Sequence, residues 1–223
     1  MPEESINEFP VLWFQGASCS GCSVSLLNSS FPSVASILLE PVLPGKHLNL
    51  RFHSTIMAGS GEPAISAIRV VKEEFSGNYI LILEGSIQER IYCGIGEFEG
   101  KELYLEEEFK EAAERALAII AYGTCASYGG IPAAGPNVTK ACGVGEFLKK
   151  HGIRKPYINI PGCPPHPDWF VGTVASVLLF GLPKEDAVDE VGRPKRYYGK
   201  LVHDNCPRRA FFDTGRFCLL YTS

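Results

Sequence analysis

Cys19-Ser-Gly-Cys22 follows the apolar run VLWFQ and precedes SVSLLN, so a CxxC stands between an expected strand and an expected helix. Such a pair can be a redox dithiol, half of a zinc site or half of an iron–sulfur site. The remaining cysteines bear on which. Cys125 lies in AYGTCASYGG and Cys163 in NIPGCPPHP, each just past a short apolar run and each flanked by Gly or Pro. Four thiolates can hold zinc or an iron–sulfur cluster. Structural zinc sites usually take their ligands as two close pairs, and one pair with two distant singles fits that pattern less well. A thioredoxin-like dithiol needs only Cys19 and Cys22 and leaves Cys125 and Cys163 without a role. The bland alternative, buried thiols acting as small hydrophobes, suits cysteines in apolar surroundings better than cysteines among turn residues. Gly16, Gly21, Gly123, Gly129, Gly130 and Gly162 leave the backbone uncrowded around these cysteines, as a bulky anionic cluster accepting N–H bonds would require. Cys22 also opens a helix, where partial positive charge favours a thiolate or an anionic cluster.

For distant cysteines to converge, the elements before them must end on one edge. Apolar runs at 11–15, 79–83, 117–122 and 157–160 are expected as strands, with a weaker one at 48–53. Helical periods or helix signals fall at 23–28, 62–75, 106–115, 139–151 and 167–180. Strand alternating with helix implies an α/β fold, a mostly parallel sheet covered by helices on both faces. In such a sheet, ligands bind beyond the carboxyl ends of the strands near a switch in strand order, and all four cysteines follow such ends. Glu84, in LILEGS, closes another strand on the same edge. Past Gly181 the sequence LPKEDAVDEVGRPKRYYG is polar and broken by Pro and Gly, the texture of a linker or long loop.

Bulk composition narrows the function classes. The chain has 223 residues, 45% hydrophobic and 21% charged, with a formal net charge of −4. That mild acidity, with no dense basic block before Arg208-Arg209, argues against a nucleic-acid surface. Its longest apolar runs are too short to span a bilayer. The opening MPEESINEFP has neither a basic nor an apolar leader region, so the chain as written is expected to be cytoplasmic. Eight cysteines without an export signal suggest metal or redox chemistry more than disulfides. Cys93 and Cys142 carry no derivable role, in an expected loop and an expected helix respectively. Glu106, Glu107 and Glu108 read as a solvated first helical turn. His203-x-x-Cys206 has the spacing of two ligands on one helical turn, a weak signal alone.

Taken together, WFQGASCSGCSVSLLN, LEGSI, GTCASYGGIPAAGPNVT, NIPGCPPHPDWFVGT and HDNCPRR resemble the small, electron-transferring subunit of nickel–iron and nickel–iron–selenium uptake hydrogenases, from about Pro10 to Arg209. The resemblance implies a flavodoxin-like domain at 9–183, then a linker and the beginning of a C-terminal cluster domain at 184–217. It implies that Cys19, Cys22, Cys125 and Cys163 hold a proximal [4Fe–4S] cluster, with Glu84, Gly21 and Thr124 around it, and that His203 and Cys206 are two of four distal-cluster ligands. The implied partner is a large subunit carrying the nickel–iron centre, so that H₂ chemistry does not occur on this chain alone. The implied acceptor is a cytochrome c, a ferredoxin or a membrane quinone-reducing subunit, and the apolar face toward the large subunit includes Trp13, Trp169, His166 and Tyr128, with core packing an equal account of Trp13. Oxygen-tolerant relatives carry extra cysteines at the positions of Gly21 and Gly130, so an oxygen-sensitive enzyme is expected. The family continues beyond the HxxC region, whereas residues 218–223 match the translation of a sequencing-library adapter; a different native sequence is therefore expected after Phe217, with Cys218 no ligand. Many relatives are exported by a twin-arginine signal, which makes a periplasmic or membrane-associated location the alternative. Competing functions are an iron–sulfur subunit of a quinone-linked respiratory complex, whose members typically open with a paired Cys-Cys, and a zinc or thiol-redox binding module.

Overall fold

A computed structural model describes residues 7–30, 32–38 and 46–216; the expected non-native tail lies outside them. Along the chain run β1 (Asn7–Gln15), α1 (Gly21–Leu27), α2 (Val34–Leu38), β2 (Lys46–His53), α3 (Glu62–Glu74), β3 (Ile80–Glu84), β4 (Gly94–Phe98), β5 (Lys101–Tyr104), α4 (Leu105–Arg115), β6 (Ala118–Tyr122), α5 (Thr124–Tyr128), α6 (Val144–Lys150), β7 (Tyr157–Ile160), α7 (Pro167–Phe180), α8 (Lys195–Tyr198) and α9 (Arg209–Asp213). Five strands form one sheet in the order β2-β1-β3-β6-β7, every neighbouring pair parallel. Leaving aside the β4–β5 hairpin, this is the flavodoxin-like order, and the winding reverses between β1 and β3.

The sequence builds this sheet because its strands are apolar on both faces. All residues of β3 (ILILE) and β6 (AIIAY) are buried, as strands sandwiched between two helical layers must be. Alternate side chains feed two separate cores. Leu12, Phe14, Leu81 and Ile119 pack with Ile68 of α3 and Phe109 of α4, while Phe147 of α6 joins the same side. Val11, Trp13, Ile82 and Tyr122 pack on the other side with Leu26 of α1, Ile37 of α2 and Phe170 of α7. Parallel register then aligns the strand ends: Gln15 faces Glu84, Glu84 faces Tyr122 and Tyr122 faces Ile160. The cysteine-bearing loops all leave from this row.

Three stretches differ from the expectations. The helix expected over 139–151 begins only at Val144. Before it, Asn137 and Lys140 take positive φ (41° and 52°), and the Asn137 side chain clamps Ala141 by accepting its N–H (2.8 Å) and donating to its carbonyl (2.9 Å). Cys142 therefore lies in a bridge to Ile87, not in a helix. The stretch around Cys93 continues into the β4–β5 hairpin, turned at Glu99-Gly100 with φ of 51° and 75°, the left-handed geometry of a two-residue hairpin loop. Beyond α7, the polar stretch packs back on the sheet edge. Asn159 of β7 donates its N–H to Gly192 O (2.9 Å) and its side-chain amide to Val191 O (2.7 Å).

Helices α3 and α4 are joined by a buried ion pair. Lys72 Nζ, 1% exposed, lies 2.8 Å from Glu108 and 2.6 Å from Glu111, while Arg69 also reaches Glu108 at 2.7 Å. Removing one partner of a buried pair strands the other charge. Lys72→Met is expected to lower the unfolding free energy by about 3 kcal/mol, measured by denaturant titration, with Arg69 retained to limit the loss.

Candidate functional site

Three loops leave the strand-end row and enclose one recess of about 90 Å³, lined by Ser18, Cys19, Cys22, Thr124, Cys125 and Cys163 among others. Cys19 and Cys163 are exposed at its mouth, Cys22 and Cys125 half-buried deeper in. All four cysteines expected to act together are thus brought together. Among the described residues, no three His, Cys, Asp or Glu side chains close on a point that would hold a single metal ion.

Backbone bonds fix the loops relative to one another. Ala17 and Ser86 exchange N–H···O bonds of 2.9 and 3.1 Å, tying the Cys19 loop to the turn after β3. Thr124 N–H donates to Gly162 O (2.9 Å), and Gly162 N–H donates to Thr124 Oγ1 (3.0 Å), so Thr124 ties the Cys125 loop to the Cys163 loop. Two glycines are required by close approach as well as by φ. At Gly123 (φ 100°) a Cβ would come within 2.5 Å of Cys22 Sγ, and at Gly130 (φ 58°) within 2.6 Å of Cys125 Sγ. A side chain at either would invade the thiols and strain the backbone. The backbone N–H groups of Ile131 and Cys125 point at Cys125 Sγ, partly offsetting the burial that raises this thiol's pKa.

Electrostatically the recess is unfriendly to free thiolates. Burial, then Glu84, then Cys19, Cys125 and Cys163 push the Cys22 thiol up to about 12. Four thiolates here need a positively charged guest. Glu84, fully buried, accepts hydrogen bonds from Gln15 Nε2 (3.0 Å), Ser18 Oγ (3.4 Å), Ser23 N–H (3.2 Å) and the Ser23 hydroxyl. Ser23 in turn meets Nε2 of His53 (3.1 Å), the last residue of β2. His53 is also fully buried and stacks 4.9 Å from Trp13. Sequence reasoning found Glu84 but missed Ser23 and His53. The available signal was that β2, like β1 and β3, ends on a polar residue at the same edge.

The other expected residues fall elsewhere. His203 and Cys206 occupy a short 3-10 turn, residues 202–205, and its cap, and neither lines the recess. Gly21 begins α1, and a Cβ there would lie 3.1 Å from Cys19 Sγ. Trp13 is fully buried in the core, whereas Tyr128 is 45% exposed and His166 caps α7 by accepting the Asp168 N–H. Glu106, expected to be solvated, is largely covered and pairs with Lys150 at 3.1 Å, while Glu108 belongs to the buried Lys72 network.

Burial lowers the His53 pKa from 6.5 to about 4, with Glu84 opposing. The unfolded chain therefore binds the extra proton between these values, so stability is full above about 6.5 and declines as pH falls toward about 4. The decline owed to this group is about 3 kcal/mol, and His53→Gln should flatten that part of a denaturation series across pH.

Comparison with known proteins agrees with this architecture. Residues 19–177 match the family model described as NADH ubiquinone oxidoreductase, 20 Kd subunit. The periplasmic [NiFeSe] hydrogenase small subunit of Desulfomicrobium baculatum is 40% identical, covering 98% of this chain and 71% of that protein. The hydrogenase-2 small chain of Escherichia coli K12 is 37% identical over 93% of this chain, which spans only 52% of that relative. Among solved structures, the [NiFeSe] hydrogenase of Desulfovibrio vulgaris Hildenborough superposes with a TM-score of 0.84 at 43% identity, covering 93% of this chain and 76% of that one. A parallel flavodoxin-like sheet, a thiol-lined recess at its switch edge and this degree of identity place the chain in the family of nickel–iron-type hydrogenase small subunits.

Proposed function

We propose that this chain carries electrons between the nickel–iron centre of a hydrogenase large subunit and an external acceptor, with Cys19, Cys22, Cys125 and Cys163 holding a [4Fe–4S] cluster. The observation that carries the reading is the gathering of these four thiols, from three loops, around one recess. The N–H groups aimed at Cys125 Sγ suit an anionic cluster. When bound, such a cluster supplies a one-electron carrier. The residues of the chain hold and shield it. Thr124 keeps two of the loops at fixed separation, and Gly123 and Gly130 let the backbone approach the sulfurs. Cys19 and Cys163 lie at the exposed rim, where a partner would cover them.

That partner is proposed to be the large subunit. Tyr128 and Ile131, which follow Cys125 in the chain, and Val24 and Leu27, which follow Cys22, are 45–82% exposed and offer apolar surface to a partner. The acceptor is proposed to be a cytochrome c, a ferredoxin or a quinone-reducing membrane subunit, with His203 and Cys206 contributing to a further cluster on the way. A respiratory-complex subunit is the second reading, and the matching family model speaks for it. The CxxC in place of a paired Cys-Cys, and near-complete coverage by hydrogenase small subunits, favour the first.

Serine substitutions distinguish ligands from bystanders. Cys163→Ser and Cys125→Ser are expected to lose most of the iron bound by the anaerobically purified protein, whereas Cys93→Ser and Cys142→Ser should retain it. Full metal retention in Cys163→Ser would instead indicate a site built on the CxxC alone.

A further inference from the structure

We propose that Glu84 is a carboxylate of fixed charge that lowers the reduction potential of the group held at Cys22, with Ser23 and His53 as the positioning residues that keep it so. The inference rests on the four-cysteine reading above and concerns how this chain tunes that site.

Two groups of Thr55 meet His53 Nδ1: its N–H donates at 3.3 Å and its hydroxyl lies at 3.2 Å, an arrangement in which Nδ1 accepts. A neutral ring must then carry its hydrogen on Nε2, which donates to Ser23 Oγ (3.1 Å). The Ser23 hydroxyl hydrogen is thereby directed to Glu84 Oε2. Gln15 is oriented in the same way: its Oε1 accepts from Ser54 Oγ (2.8 Å), which leaves its amide N–H for Glu84 (3.0 Å). Ser18 Oγ accepts the Ser20 N–H (3.0 Å) and turns its own hydrogen to Glu84. Glu84 thus receives hydrogens from Gln15, from Ser18 and twice from Ser23.

The charge is uncompensated. None of the ion pairs among the described residues includes Glu84. It also accepts the N–H of Ser23 (3.2 Å), the residue next to Cys22. A buried negative charge beside an electron acceptor disfavours adding the electron, because low dielectric screens little. Nor does the network offer a proton to offset it. Glu84 is the charged group acting on His53, and burial keeps that imidazole neutral down to about 4.

An EPR-monitored redox titration of the anaerobically purified full chain, with any partner that copurifies, tests this. Glu84→Gln keeps the shape and removes the charge, so the midpoint should shift to a more positive potential at unchanged iron and sulfide content. Glu84→Asp keeps the charge and should stay closer to the wild type than Glu84→Gln does. Ser23→Ala, which removes one donor but keeps the carboxylate, should shift the midpoint less than Glu84→Gln does. A Glu84→Gln midpoint equal to the wild type would overturn the inference and leave the cysteine reading standing. Should Glu84→Gln fail to assemble, Glu84→Ala takes its place, and a midpoint equal to the wild type there would overturn the inference in the same way. A wild-type protein without an iron–sulfur signal would overturn the cysteine reading itself.

Discussion

Gln15, Glu84, Tyr122 and Ile160 end four parallel strands in one row, and everything at the site hangs from that row. A parallel sheet sends each strand into a loop at the same edge, so residues far apart in sequence arrive together without any direct bond between them. Here the arrivals are Cys19 and Cys22 after β1, Cys125 after β6 and Cys163 after β7. The reversal of winding between β1 and β3 opens the crevice, and Glu84 closes β3 beneath it. Register is therefore the constraint that matters most. A one-residue slip of β3 would turn Glu84 to the opposite face and remove the donors that surround it.

The same edge concentrates negative potential. Four thiols line one small recess and a buried carboxylate lies behind it, and their mutual influence is visible in the raised pKa of Cys22. Such an arrangement is unfavourable unless a cationic guest is bound or the thiols keep their protons. Its central polar groups are nonetheless bonded: Glu84 has four donors, His53 has both ring nitrogens engaged, and Thr124 answers Gly162 in both directions.

Much of this was legible in the sequence, and the physical reason is specific. The runs VLWF, ILIL and AIIAY are apolar at consecutive positions, which only a strand covered on both faces tolerates, so the sheet and its edge could be read directly. The cysteines followed from that edge. What escaped depended on interactions without sequence periodicity. The β4–β5 hairpin is glycine-rich and largely exposed, so GIGEF carries little strand signal, and its turn uses Glu99 at positive φ. The start of α6 was displaced by the Asn137 clamp on Ala141, a local side-chain bond that competes with the helix. The His53–Ser23–Glu84 chain joins positions 30 and 61 residues apart through a single hydroxyl, and nothing in the local sequence marks it.

The central claim is that the four strand-end cysteines assemble one iron–sulfur cluster. Metal and acid-labile sulfide analysis of the anaerobically purified chain, with an EPR spectrum after reduction, tests it most directly. About four irons and four sulfides at this site, with a fast-relaxing S = 1/2 signal that vanishes when Cys125 is changed to serine, is the result expected of a [4Fe–4S] centre. One zinc and no sulfide, in protein shown not to have lost iron during purification, would contradict it and leave a structural site in its place.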